Sequence, residues 1–307
     1  MSNYSIGGYK IAIRARSSKT LVVEGRDDRS LLQRIFLEEI SGVSVGDQVR
    51  VDASEIVKDP VLSGMGARDR VAKIIEFCRP PNGKLKGLKD REWDFFCTDN
   101  LSEIVGEVLD EDIFITRGHS IENYFFDINL CCDFLKRRFS SAISKDFLIA
   151  VRDCFGEIID FSFAYSVACK RLNIIERMER IVSPIHVERR DALVLTEGFK
   201  GAMISRGIAH EDAEKFYREF ASINEHASMR QATPQSRRWW SHGHLGEDAL
   251  WACLGWVAMQ HGVSETDAES ICHGHKDEKR QGSAHMMALN FSGEYFPLDR
   301  IIEWAVE

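Results

Sequence analysis

Two hydrophobic periods alternate along the first third of the chain. Residues 20–25, TLVVEG, form a short β-branched run that ends on Glu24-Gly25. The next stretch, RDDRSLLQRIFLEEI, is apolar at positions 31, 32, 35, 36 and 40, a spacing that places them on one side of a helix. Asp27 or Asp28 suits the start of that helix, because a short carboxylate can accept from its first free N–H groups. QVRVDAS alternates like a second strand, and ARDRVAKIIEFCR reads as a second helix closed by Pro80-Pro81. WDFFCTDN is apolar enough to be a third strand covered on both faces. SEIVGEVL then reads as a short helix and DIFITRG as a fourth strand. The order predicts an α/β fold, with a mainly parallel sheet, covering helices, and loops gathered at one edge of the sheet.

Beyond about residue 120 the strand pattern stops. IENYFFDINLCCDFLKRRF, KDFLIAVRDCFGEIIDFSFAYSVACKRLNIIERMERIV and EDAEKFYREFASI all read as helices. A loop-like break, ASMRQATPQSRRWWSHGHLG, precedes a further helix, EDALWACLGWVAMQHG. The pattern therefore predicts a sheet domain over residues 1–125 and a mostly helical domain over 126–307. The boundary is soft, since Ile121 to Phe126 suit either core.

Composition narrows the class without changing the fold. With 44% hydrophobic and 29% charged residues among 307, the chain is of ordinary globular type. No apolar run approaches the roughly 18 residues that a membrane span needs, so no membrane partner is expected. Eight irregularly spaced cysteines do not make a secreted disulfide framework and predict a cytoplasmic protein with mostly free thiols. A net charge of −8 argues against an overall basic coat, so any nucleic-acid surface has to be local.

The carboxylates carry the chemistry. Glu24 ends the first predicted strand, Asp99 ends the third, and Glu122 follows the fourth, which would gather all three at the carboxyl edge of a parallel sheet. Hard divalent ions take oxygen ligands, often one or two carboxylates with waters and substrate phosphate. Gly25 lets the backbone turn closely behind Glu24. Each residue also has a plainer reading: Glu24 as a surface carboxylate beside Arg26, Asp28 as a helix cap, Asp99 as a turn residue, and Glu122 as a cap of IENYFF. His119 reads as a proton shuttle or a structural hydrogen-bonder.

At these residues the chain resembles the TOPRIM-like nucleases of the AriB type, the effector nucleases of the PARIS anti-phage defence system. VVEGRDD is similar to the strand-Glu-Gly-x-x-Asp motif, on Glu24, Gly25 and Asp28; FFCTDN resembles the strand ending in an Asp-x-Asp pair; TRGHSIENYFF resembles a further signature. The resemblance covers roughly residues 20–125 and implies a TOPRIM-like sheet with Mg²⁺, or alternatively Mn²⁺, held by Glu24 and Asp99. Asp28, Glu103 and Glu122 are the supporting catalytic candidates. It further implies RNA, in particular tRNA, as substrate, and a partner ATPase of the AriA type. The Asp-x-Asp pair is incomplete, because its other member falls on Cys97 or Leu101. That gap weighs against two-metal chemistry, leaves one-metal chemistry open, and allows a homodimer partner to complete the set. The competing expectations are a degenerate module that binds the ATPase without catalysis, and a DNA nuclease.

Two C-terminal clusters complete the candidates. SRRWWSHGH lies in a stretch, His226 to Gly246, with three arginines, three histidines and no acid. Arg237 and Arg238 could pair with RNA phosphates while Trp239 and Trp240 stack on bases; the alternative is a tryptophan pair packed in the helical core with arginines on its rim. His242, His244, Cys253, Cys272, His273 and His275 invite a zinc reading, but their spacing fits no common finger.

Overall fold

A computed structural model describes residues 3–40, 42–80, 83–103, 111–225, 233–291 and 295–307. They fall into two compact units, and the chain visits each more than once. The first comprises the described residues of Met1–Arg91, Gly106–Arg117 and Arg280–Glu307; the second, those of Glu92–Val105 and Gly118–Lys279. The units divide at 91/92, 117/118 and 279/280, where the sequence pattern had one boundary at 125, and the described residues from Arg280 on belong to the first unit.

The first unit is built on a four-stranded parallel sheet. Its strands are β1 (Lys19–Val23), β2 (Val49–Ala53), β3 (Leu85–Lys89) and β4 (Ile113–Ile115), in the spatial order β2-β1-β3-β4. Leu21, Val22 and Val23 are all buried, as expected of a strand covered on both faces. The helices α1 (Ile6–Ala15), α2 (Arg26–Phe36) and α3 (Ala67–Cys78) accompany it. Leu31, Leu32, Ile35 and Phe36 form the buried stripe of α2 that the period forecast, whereas α1 was not anticipated. Gly87 of β3 lets α3 approach: a Cβ there would stand 2.8 Å from Val71 Cγ1. Asp52 of β2 is buried and satisfied by Arg16 at 2.6 Å, Arg50 at 2.9 Å and the Tyr9 hydroxyl at 2.9 Å, as a buried charge must be.

The third strand differs from expectation. It is Leu85–Lys89, and WDFFCTDN is not part of the parallel sheet. Within that segment Phe96–Cys97 makes a two-residue antiparallel pair with Ser102–Glu103 and belongs to the second unit. Phe96 packs there on Phe163 and Trp240, at ring distances of 5.9 and 5.4 Å. The apolar run therefore serves a helical core. The helix expected over Ser102–Leu109 lies, beyond Glu103, outside the described residues.

The second unit is mainly helical: α4 (Ile128–Phe139), α5 (Lys145–Arg171), α6 (His210–Glu225) and α7 (Gly243–Gln260). α5 and α7 pack against each other, and α7 buries Leu250, Cys253, Leu254 and Val257 around most of its circumference. The expectation that strands stop after residue 120 needs one correction, since Val187–Arg189 and Leu193–Leu195 form an antiparallel pair. No helix among the described residues is long and apolar enough to cross a membrane.

Candidate functional site

The sheet order places a topological switch between β1 and β3. From β1 the chain moves outward to β2, then returns to the other side of β1 for β3 and β4. Loops leaving β1 and β3 diverge, and the crevice between them at the carboxyl edge is where ligands bind in such sheets. Glu24 leaves β1 and Asp90 leaves β3 at this point. The Asp90 backbone N–H donates to Glu24 Oε1 at 2.9 Å. The neighbouring strand ends are tied in as well. Ser54, after β2, donates its hydroxyl to the Glu24 carbonyl at 2.8 Å, and Thr116, after β4, accepts the Arg91 N–H on Oγ1 at 2.9 Å. The carboxylate is thus positioned by backbone contacts on its own sheet.

Beside it opens a cavity of about 730 Å³, lined by Glu24, Gly25, Ser54, Glu55, Lys58 and Arg70 among others. Arg70 is committed to the wall: its guanidinium donates to the carbonyls of Val57 at 2.7 Å, Leu62 at 3.3 Å and Ser54 at 3.4 Å. Arg26 and Glu55 pair at 2.7 Å but are well exposed, so the pair contributes at most about 1 kcal/mol. Glu24, Ser54 and Glu55 line the cavity, and Asp90 follows β3 next to Glu24; their side-chain oxygens are of the kind that a hard divalent ion takes. The described residues contain no gathered group of three or more His, Cys, Asp or Glu. One or two carboxylates suffice for Mg²⁺, which keeps several of its waters, so the residues present fit such an ion.

The other expected site residues have different surroundings. Asp28 Oδ2 accepts the Gly25 N–H at 2.9 Å, closing the first turn of α2 as one half of a capping box. Asp99 does not end a strand of the sheet. It is an exposed turn residue of the second unit, and its carbonyl accepts from Arg171 at 3.0 Å. Glu122 also belongs to the second unit, where it is buried, accepts the Ser120 hydroxyl on Oε2 at 2.6 Å and lies 3.6 Å from His244 Nδ1. Gly243 is required there, because a Cβ would come within 1.9 Å of Ser120 Oγ. Asp90, which follows β3, was not among the expected site residues. LKGLKDRE contains both signals, a short strand and an acid-x-acid pair (Asp90-Arg91-Glu92) directly after it.

Three of the four residues of the expected RNA patch are buried. Arg237 and Arg238 are each 5% exposed and Trp239 is 2% exposed. Arg237 pairs with Asp160, Arg238 lies 3.5 Å from Asp127, and the Arg238 guanidinium covers the Trp239 ring at 4.3 Å. Burial pushes the Asp160 carboxyl up and Arg237 pulls it back. Trp240 packs on Phe96 and Phe163 and donates Nε1–H to Glu103 at 2.7 Å. The segment lacks acids in sequence, yet the fold supplies them from elsewhere. Residues 226–232 of that stretch lie outside the described residues.

The histidines and cysteines are likewise used internally. Cys253 and Cys272 are buried free thiols whose pKa values burial pushes up. His119 is buried with its ring 5.0 Å from Trp93 and 4.3 Å from His242. His242 Nδ1 accepts the Leu245 N–H at 3.3 Å and caps α7. Burial, with the neighbouring His244 adding to it, lowers the His242 pKa to about 4.

No family model matches the chain, and no curated protein matches it.

Proposed function

We propose that the chain is a Mg²⁺-dependent phosphodiester hydrolase whose site lies at the switch point between β1 and β3. The observation that carries this reading is the Glu24–Asp90 contact, which brings the ends of two adjacent parallel strands to one oxygen-rich crevice. Glu24 and Asp90 would hold the ion, with Ser54 and Glu55 on the cavity side. A bound divalent ion polarises a phosphoryl oxygen and lowers the pKa of a coordinated water. The protein's part is positional. The Asp90 N–H orients the Glu24 carboxylate, Ser54 fixes its backbone, and Gly25 keeps the approach to the crevice clear of a side chain. Asp28 supports the site indirectly by ordering the first turn of α2.

RNA as substrate, tRNA in particular, and a partner ATPase rest on the resemblance over roughly residues 20–125. The purified chain, incubated with total RNA and separately with duplex DNA, should cleave RNA in Mg²⁺ and stop in a chelator. Glu24→Gln should lose at least about a hundredfold in rate while keeping its melting temperature. Wild-type cleavage rates in the variant would remove Glu24 from the site.

One observation favours a second reading, a non-catalytic module that binds its partner: the described residues gather no third ligand around Glu24. Absence of Mg²⁺ binding by calorimetry, together with absence of cleavage, would select it.

A further inference from the structure

The second unit contains a charged cavity that the proposed chemistry does not use. It measures about 470 Å³ and is lined by Glu176, Glu179, Arg180, Arg206, His244, Asp248 and Lys276. A smaller cavity shares Arg180, Asp248 and Lys276 with it and continues to Trp251, Cys272 and Lys279. We propose that this cavity is a binding site for a phosphate group, gripped by Arg180, Arg206 and Lys276, with Lys279 in the smaller cavity beside it.

Three segments far apart in sequence bring these cations together: Arg180 follows a short helix at Ile175–Met178, Arg206 ends the helix Gly198–Ser205, and Lys276 begins the helix Lys276–Leu289. Among the described residues the side chains of Arg180, Arg206 and Lys276 form no hydrogen bond or ion pair. They stay unpaired although Glu176 and Glu179 stand in the same wall. Converging cations repel one another, and an anion between them relieves that cost. Arginine adds a planar fork that matches phosphate oxygens in pairs.

Lys279 adds a buried cation to the adjoining smaller cavity. Its residue is 4% exposed, Nζ donates to the Cys272 carbonyl at 2.8 Å, and it sits 4.2 Å over the Trp251 ring. An ammonium has three N–H groups, and one carbonyl with one ring face does not use them all. Burial lowers the Lys279 pKa to about 8, against smaller opposing effects of Cys272, Glu247, Asp248 and Cys131. An arriving anion compensates that desolvation. Burial pushes the Asp248 carboxyl up, and its Oδ2 already accepts the Arg180 backbone N–H at 2.8 Å. The volume lies in the range of small-ligand pockets, so a nucleoside monophosphate fits the size as well as the charge.

The test is calorimetric titration of the full chain with three probes: inorganic phosphate, adenosine 5′-monophosphate, and a short single-stranded oligoribonucleotide without terminal phosphates. Wild type should bind at least one of them saturably, and Arg206→Ala combined with Lys276→Ala should weaken it at least about tenfold, as expected for losing charge-assisted contacts. Both side chains line the cavity, so the melting temperature should hold; Arg206→Gln with Lys276→Gln is the second pair should it fall. Glu24→Gln should bind the probe like wild type, which separates this site from the sheet-edge reading. Tighter binding of the mononucleotide assigns a small phosphorylated ligand, and tighter binding of the oligonucleotide assigns a nucleic-acid backbone; either supports the proposal. No saturable binding of any probe, or equal affinity in wild type and both double variants, overturns it.

Discussion

His242 shows what a residue's neighbours in sequence leave out. Beside His244, in SHGH, it invited a metal reading that the spacing did not support. In the fold it is the N-cap of α7, and a neutral Nδ1 is needed to accept the Leu245 N–H. Its pKa falls from near 6.5 in an unfolded chain to about 4 in the fold, with burial as the main cause. Between these values the unfolded chain binds the proton and the folded one does not. This histidine's stabilising contribution is therefore complete above pH 6.5 and is lost as pH falls toward 4. Asparagine also caps helices but does not titrate. In urea unfolding, His242→Asn should show a shallower loss of stability than wild type between pH 6.5 and 5. Identical slopes would mean that His242 is not the titrating group. The cap was not legible, because the helix start was placed at Glu247 and not at Gly243. Glu24 was legible, because a strand that ends on Glu-Gly before a helical period leaves few other places for that carboxylate.

Among elements, the helical periods were the easiest to read and the third strand the hardest. The stripe of α2 appeared at the positions that the spacing gave, since an amphipathic helix writes its burial into the sequence. β3 is short, and three lysines (84, 86 and 89) interleave Leu85, Gly87 and Leu88, so it looks like a polar loop. WDFFC outscored it on hydrophobicity, yet its rings fill the helical core. As a result Asp99, and not Asp90, was placed at the end of the third strand. Gly87 marks β3 physically, because only its missing Cβ admits Val71 and Ile75 of α3. Gly87→Ala should cost about 1–3 kcal/mol through overpacking, measured as a lowered denaturation midpoint. An unchanged midpoint would mean that α3 does not press on β3 there.

For the whole molecule, the net charge of −8 hid where each cation goes. Arg237 and Arg238 looked available because no acid is near them in sequence, but Asp160 and Asp127 reach them through the fold. Arg237→Ala should lower stability by roughly 3 kcal/mol, the scale of breaking a buried pair, and leave the salt dependence of RNA binding unchanged. An altered salt slope at unchanged stability would restore the RNA-patch reading. That the described residues from Arg280 on belong to the first unit could not be read from local pattern, which carries no information on long-range pairing. The central claim is that Glu24 and Asp90, at adjacent ends of one parallel sheet, form the catalytic edge. Its most direct measurement is the rate of Mg²⁺-dependent RNA cleavage by Asp90→Asn beside that of Asp99→Asn. Asp90→Asn should be inactive and Asp99→Asn should cut at close to the wild-type rate; an active Asp90→Asn beside an inactive Asp99→Asn would contradict the account.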